Sequence, residues 1–108
     1  MNAPTTLREY IAQLQQADVI PRPEDEDWPA LIARFSIPGR IAAIDEETYW
    51  YFLEVLPPNY QHGSLFAFAE GAEALRFFWQ KGERYFCRQL TWEETTIFCR
   101  LAHISIPW

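Results

Sequence analysis

The crowding of aromatic rings constrains this chain most: 13 of its 18 aromatic residues fall between Tyr49 and Trp92, within 44 positions. The stretch opens with Tyr49-Trp50-Tyr51-Phe52-Leu53-Glu54-Val55-Leu56-Pro57-Pro58. It passes through Leu65-Phe66-Ala67-Phe68-Ala69 and continues in Phe77-Phe78-Trp79 and Tyr85-Phe86-Cys87. Each buried aromatic side chain removes roughly 150–250 Å² from water, so such density needs either a tightly filled core or a surface that another molecule covers. A chain of 108 residues is expected to form a single domain over residues 1–108.

The charge balance narrows the class of partner. A formal charge of −6 opposes general affinity for nucleic-acid backbones, which are bound by neutralising phosphates with Lys and Arg. A basic or neutral protein is the easier partner, a homodimer included. Eight of the nine cationic residues are arginine, and Lys81 alone is lysine. That choice favours planar, bidentate and stacking contacts over simple solubilising charge. No apolar run approaches the roughly 20 residues of a membrane span, and the first residues lack the basic region and apolar core of a signal peptide. The expected location is therefore cytoplasmic, with Cys87 and Cys99 as free thiols.

Helix signals come early and late. Thr6 and Glu9 make a capping box ahead of Leu7, Tyr10, Ile11 and Leu14, predicting a helix from about 6 to 17. The loop Pro21 to Asp27 carries an acidic run that favours the start of a second helix, with Pro29 in its first turn and Trp28, Leu31, Ile32 and Phe35 on one face. Asp45 caps a third helix of about ten residues, stopped by Pro57-Pro58. That helix is apolar on most faces, so Trp50, Phe52 and Leu53 should be covered. Thr91 and Glu94 form a second capping box, opening a last helix with Ile97, Phe98, Leu101 and Ala102 inward.

Between the last two helices the period changes to two. Residues 65–69, 74–80 and 84–90 read as a three-stranded antiparallel sheet, with turns at Gly71 and at Lys81-Gly82. The expected class is α+β, the sheet packing with the N-terminal helices and the C-terminal helix. The tail after Ile104 should lie extended over the core.

The hairpin carries the candidate binding site. With an odd loop, Arg76, Phe78 and Gln80 share a side with Arg84, Phe86 and Arg88, while Leu75, Phe77, Trp79, Tyr85 and Cys87 take the other. Exposed, the set Arg76, Phe78, Arg84, Phe86 and Arg88 would be a protein hot spot or a stacking platform for single-stranded nucleic acid. The plainer alternative is a sheet surface whose arginines pair with Glu70, Glu73 and Glu83.

Other chemistry has less to stand on. Cys99 and His103 lie four apart on the last helix, Cys87 precedes them and His62 is the remaining histidine, but neither a Cys-x-x-Cys knuckle nor a His-Glu-x-x-His pair is present. Glu46, Glu47, Glu54 and Glu70 have no spacing that fixes them as an acid–base pair. No glycine pattern cradles a phosphate, and His62-Gly63-Ser64 is ordinary turn chemistry. The expectation is a non-enzymatic protein with no cofactor and no metal.

The block Ile44 to Pro58, with Phe66-Ala67-Phe68-Ala69-Glu70-Gly71, Phe78-Trp79 and Tyr85-Phe86-Cys87-Arg88-Gln89-Leu90-Thr91, resembles an uncharacterised family of small proteobacterial proteins. That family is a numbered domain of unknown function, often carried on plasmids and other mobile elements. The resemblance covers about residues 44–96. It implies a genomic setting and no activity, cofactor or catalytic residue. The functional expectation is a protein-binding accessory protein, a regulator or inhibitor of a host or defence complex. Its rivals are a nucleic-acid-associated factor using the Arg and aromatic face, and a metal protein or enzyme centred on Cys99 and His103.

Overall fold

The computed structural model describes residues 6–55, 57–69 and 74–104. Among them the chain order is α1 (Leu7–Leu14), β1 (Val19–Ile20), α2 (Trp28–Phe35), β2 (Ile41–Ile44), α3 (Glu46–Val55), β3 (Tyr60–His62), β4 (Leu65–Ala69), β5 (Leu75–Lys81), β6 (Arg84–Gln89) and α4 (Trp92–Ala102). The class is α+β, but the sheet is larger than the three expected strands. It is one mixed, six-stranded sheet in the order β1-β2-β6-β5-β4-β3, with β1 and β2 parallel and the other neighbours antiparallel.

Four helices start where the sequence places them, although α1 stops at Leu14, short of the expected 17. Thr6 Oγ1 accepts from the Glu9 amide at 3.1 Å, Asp27 Oδ1 from the Ala30 amide at 2.9 Å and Asp45 Oδ1 from the Thr48 amide at 2.8 Å. Thr91 and Glu94 make the reciprocal capping box of α4. Each cap satisfies a backbone donor that the first turn of a helix leaves without a partner. The last helix ends at His103, whose left-handed backbone sends the Ile104 amide back to the Cys99 carbonyl.

The strands left unassigned are short. Ile41-Ala42-Ala43-Ile44 lies between β1 and β6 with both sides covered, so it reads as a continuous apolar run and shows no alternation. Its pairing with β6 (Ile41 opposite Arg88, Ile44 opposite Tyr85) joins the N-terminal half of the chain to the C-terminal hairpin. The expected turn at Gly71 and the tail 105–108 lie outside the described residues, as does the side chain of Phe35.

Two cores result, one on each side of the sheet. Tyr10 and Leu14 of α1 and Phe98 of α4 pack with Ile41, Leu65, Leu75, Phe77, Trp79 and Phe86 on one side. Leu31 of α2 and Tyr49 and Phe52 of α3 pack with Ile44, Phe66, Phe68, Phe78 and Cys87 on the other.

The hairpin corrects the expected division of its residues. Only Gly82 and Glu83 lie between Lys81 and Arg84, and Gly82 has a φ of 63°, the positive value that the first position of a type II′ turn requires. An even loop places Phe78 opposite Cys87 and Trp79 opposite Phe86. Relative to an odd loop this flips one strand, so Arg76 and Phe78 face α2 and α3 while Phe86 and Arg88 face α1 and α4.

Candidate functional site

The five residues expected to share one exposed face are divided between two layers. Phe78 and Phe86 are core side chains, Arg76 and Arg88 are buried, and Arg84 alone is exposed. The arginines instead hold the interior together. Arg88 reaches from β6 to donate to Glu94 Oε2 of α4 at 2.6 Å, and also to the Leu14 carbonyl at the end of α1. A single guanidinium therefore joins three elements, its Nε left without a partner. Arg76 donates to Gln89 Oε1 on the neighbouring strand at 3.1 Å. Glu70 and Glu73, the expected acidic partners, lie outside the described residues.

Arg34 is used in the same way. Its Nε and Nη2 grip the two oxygens of Glu26 at 2.6 and 2.8 Å, and its Nη1 donates to the Ile20 carbonyl at 3.2 Å. Both partners of this ion pair are buried. A planar fork that makes three such bonds fits an interior better than an ammonium group does, which suits arginine to the positions of Arg34 and Arg88.

Cys87 and Cys99 are free and belong to opposite sides of the sheet, Cys87 in the α2/α3 core and Cys99 against the α1/α4 core. Burial pushes the Cys99 thiol pKa up, which keeps it protonated and slow to react. His103 is the exposed cap of α4. No group of three His, Cys, Asp or Glu side chains able to hold a metal ion occurs among the described residues. No helix among them is long and apolar enough to cross a membrane.

The unusual surface lies elsewhere, at the outer end of a column of rings. Phe66 stacks on Phe78 at 5.2 Å between centroids, Phe78 on Phe52 at 4.9 Å, and Phe52 on Trp28 at 6.0 Å. The column thus runs from the sheet through α3 to α2. Its inner rings are buried, but Trp28 is 50% exposed, and Tyr51, edge-on to it at 5.9 Å, is 49% exposed. Val55 follows Tyr51 one helical turn later, and Trp50 beside it is also exposed, against the expectation that α3 would be covered all round. A helix with apolar residues on most faces has only one sheet to bury them against, so one side of α3 remains outward.

Around these rings the charge is acidic. A depression of about 290 Å³ is lined by Trp28, Tyr51 and Leu31 together with Glu26, Asp27, Asp45, Glu47 and the single cation Arg22. Arg22 is committed to Asp45 at 3.3 Å and Glu26 to Arg34. Burial would raise the Asp45 pKa, but hydrogen bonds from the Thr48 side chain and amide and the nearby Arg22 outweigh it and hold the carboxyl below its ordinary value. What the rim still offers is the negative charge of Asp27 and Glu47.

Trp28 and Tyr51 carry two signals legible in the sequence. Trp28 precedes a helix-starting proline directly after an acidic run, and Tyr51 sits in a helix too apolar for one covering layer. Comparison of the chain with protein-family models, with curated proteins and with solved structures returns no match.

Proposed function

We propose that this chain works by binding another protein, and that the Trp28 and Tyr51 surface takes a basic segment of that partner. The observation that carries this reading is the exposure of two packed aromatic rings, continuous with the core and rimmed by carboxylates. Trp and Tyr are enriched among the residues that dominate interface energetics, and their value rises when neighbours exclude water. An Arg or Lys side chain laid over the ring faces would gain a cation–π contact and meet Asp27 or Glu47 at its tip. Because the column beneath is already packed, little ordering is needed on binding. In the setting that the family resemblance implies, the partner belongs to a host or defence complex.

Selection from a displayed random peptide library gives the test. The expected result is enrichment of peptides that combine Arg or Lys with a large apolar residue, binding the native chain and losing at least about thirtyfold in affinity for the Trp28→Ala, Tyr51→Ala double variant, the effect of one hot-spot residue. Circular dichroism controls for folding. Enrichment of acidic peptides, or undiminished affinity for the folded double variant, would overturn the reading.

A further inference from the structure

We propose a second binding site on the opposite side of the sheet, an open groove that takes a small amphiphilic anion: one carboxylate or sulfonate group on an apolar body. The groove has a volume of about 730 Å³, within the roughly 300–1,000 Å³ typical of small-molecule sites. Its apolar wall is the exposed Val19, and its floor is the edges of Trp79, Phe86 and Ile41, whose side chains are otherwise buried in the core. Gln15 and Gln16 of the α1 end supply hydrogen-bonding side chains along it.

Its charge is opposite to that of the rest of the molecule. Among the described residues Lys81 and Arg84 line the groove and no carboxylate does, in a chain whose formal charge is −6, although Arg84 also borders a separate depression that holds Asp45, Glu46 and Glu83. The two cations are directly opposed across the ends of β5 and β6, an arrangement that repels unless an anion sits between them. Among the described residues neither has a carboxylate partner, whereas Arg22, Arg34 and Arg88 each do. Glu83, in the turn between them, does not line the groove. The Arg84 guanidinium lies 5.2 Å from the centre of the Phe86 ring, which holds it at the edge of the apolar floor with its donors available. An anionic head between Lys81 and Arg84 would therefore place its apolar body against Val19 and the edges of Trp79 and Phe86. A purely polar anion would leave Val19 in water, and a neutral apolar compound would leave the two cations opposed.

The experiment uses 1-naphthoate as the probe and 1-naphthalenemethanol as its neutral counterpart, followed by amide and indole chemical shifts of the full chain. The expected result is saturable naphthoate binding that shifts the Trp79 indole and the Lys81, Arg84 and Gln80 amides. The alcohol should bind at least about tenfold more weakly, the effect of losing one charge-assisted hydrogen bond. The Lys81→Gln, Arg84→Gln double variant changes only exposed side chains and should fold; it should bind naphthoate no better than the alcohol. Absence of shifts at millimolar naphthoate, equal binding of the two compounds, or shifts confined to Trp28 and Tyr51 would each overturn the proposal. The Trp28→Ala, Tyr51→Ala variant should bind naphthoate normally, so the two sites fail or stand separately.

Discussion

The two sides of the sheet solve the same packing problem differently. On the α1/α4 side, Tyr10, Leu14 and Phe98 close over the strands, and the Arg88 to Glu94 pair, with the Leu14 carbonyl, pins both helices to β6. On the α2/α3 side the core is a column of stacked rings, Phe66, Phe78, Phe52 and Trp28, and the helix-to-loop tie is the separate Arg34 to Glu26 pair at its edge. The first side specifies position with a polar pin. The second relies on ring against ring, and the same column that fills the core emerges at Trp28 and Tyr51. A region stabilised this way can present a recognition surface without building a separate one, because the exposed rings are held by those beneath them.

The largest effect should come from cutting the column in the middle. Phe52 is buried and stacks on Phe68, Phe78 and Trp28. Phe52→Ala is expected to cost roughly 3–5 kcal/mol, the range for buried Phe truncations. Trp28→Ala, at the half-exposed end, should cost well under half of that. Equal losses in urea denaturation would mean that Trp28 is as much core as Phe52, and the distinction between the inner column and its outer end would fail.

The polar pin should come next. Removing one partner of a buried ion pair leaves an uncompensated charge and costs roughly 3–5 kcal/mol. Glu94 keeps some contact with water, its side chain being 23% exposed, so Glu94→Ala is expected near the lower end, about 3 kcal/mol. Part of that loss comes from the capping box, because Glu94 Oε1 also accepts from the Thr91 amide at 3.0 Å. Combining Glu94→Ala with Arg88→Met should recover stability relative to Glu94→Ala alone. If it does not, the methylene packing of Arg88 matters more than its charge.

Thr91→Ala isolates the cap. It removes the acceptor of the Glu94 amide, 3.2 Å away, and leaves the Arg88 ion pair in place. A loss of about 1 kcal/mol is expected. A loss as large as that of Glu94→Ala would show that the cap, and not the ion pair, carries the pin.

The sequence made these regions legible to different degrees. Helix starts were readable because the Thr6, Asp45 and Thr91 caps and the acidic run with Pro29 ahead of α2 are local signals. Each cap, the Asp27 cap that the structure shows for α2 included, acts on a backbone amide three residues away. The β4 strand was readable as 65–69 for the same local reason, its β-rich composition following directly on Gly63-Ser64. Strands β1, β2 and β3 were not, since two to four residues show no period; β1 and β2 owe their pairing to each other and to β6, distant in sequence, while β3 is the short first arm of a tight hairpin with β4 across Gly63-Ser64. The site was lost to a single residue of loop parity: reading an odd loop at Gly82 moved Phe78 beside Phe86 and made one face of what is two. What survives of that site, Arg84 beside Phe86, lines the proposed anion groove, and the Trp28 and Tyr51 surface, hinted at by the excess apolar faces of α3, takes shape once α3 is seen to be covered on one side only.

The smallest effect should be electrostatic and confined to acid pH. Asp45 caps α3, whose first turn adds Glu46 and Glu47, and Arg22 approaches its other oxygen. Its folded pKa lies below the ordinary 3.8: burial acts to raise it, and the hydrogen bonds to Thr48 with the charge of Arg22 more than offset that. A carboxyl with a depressed folded pKa stabilises the fold when ionised, so its contribution is present in full above the unfolded value and is lost as pH falls through the folded value. Asp45→Asn keeps an acceptor for the Thr48 amide and removes only the charge. The native chain should therefore be the more stable of the two at neutral pH, and the gap should close as pH is lowered from about 5 through the carboxylate range. Thermal denaturation of both chains across that range measures the gap directly. A gap that stays constant to the lowest pH at which both fold would show that Asp45 acts through cap geometry alone, leaving the acidic rim of the Trp28 and Tyr51 surface to Asp27 and Glu47.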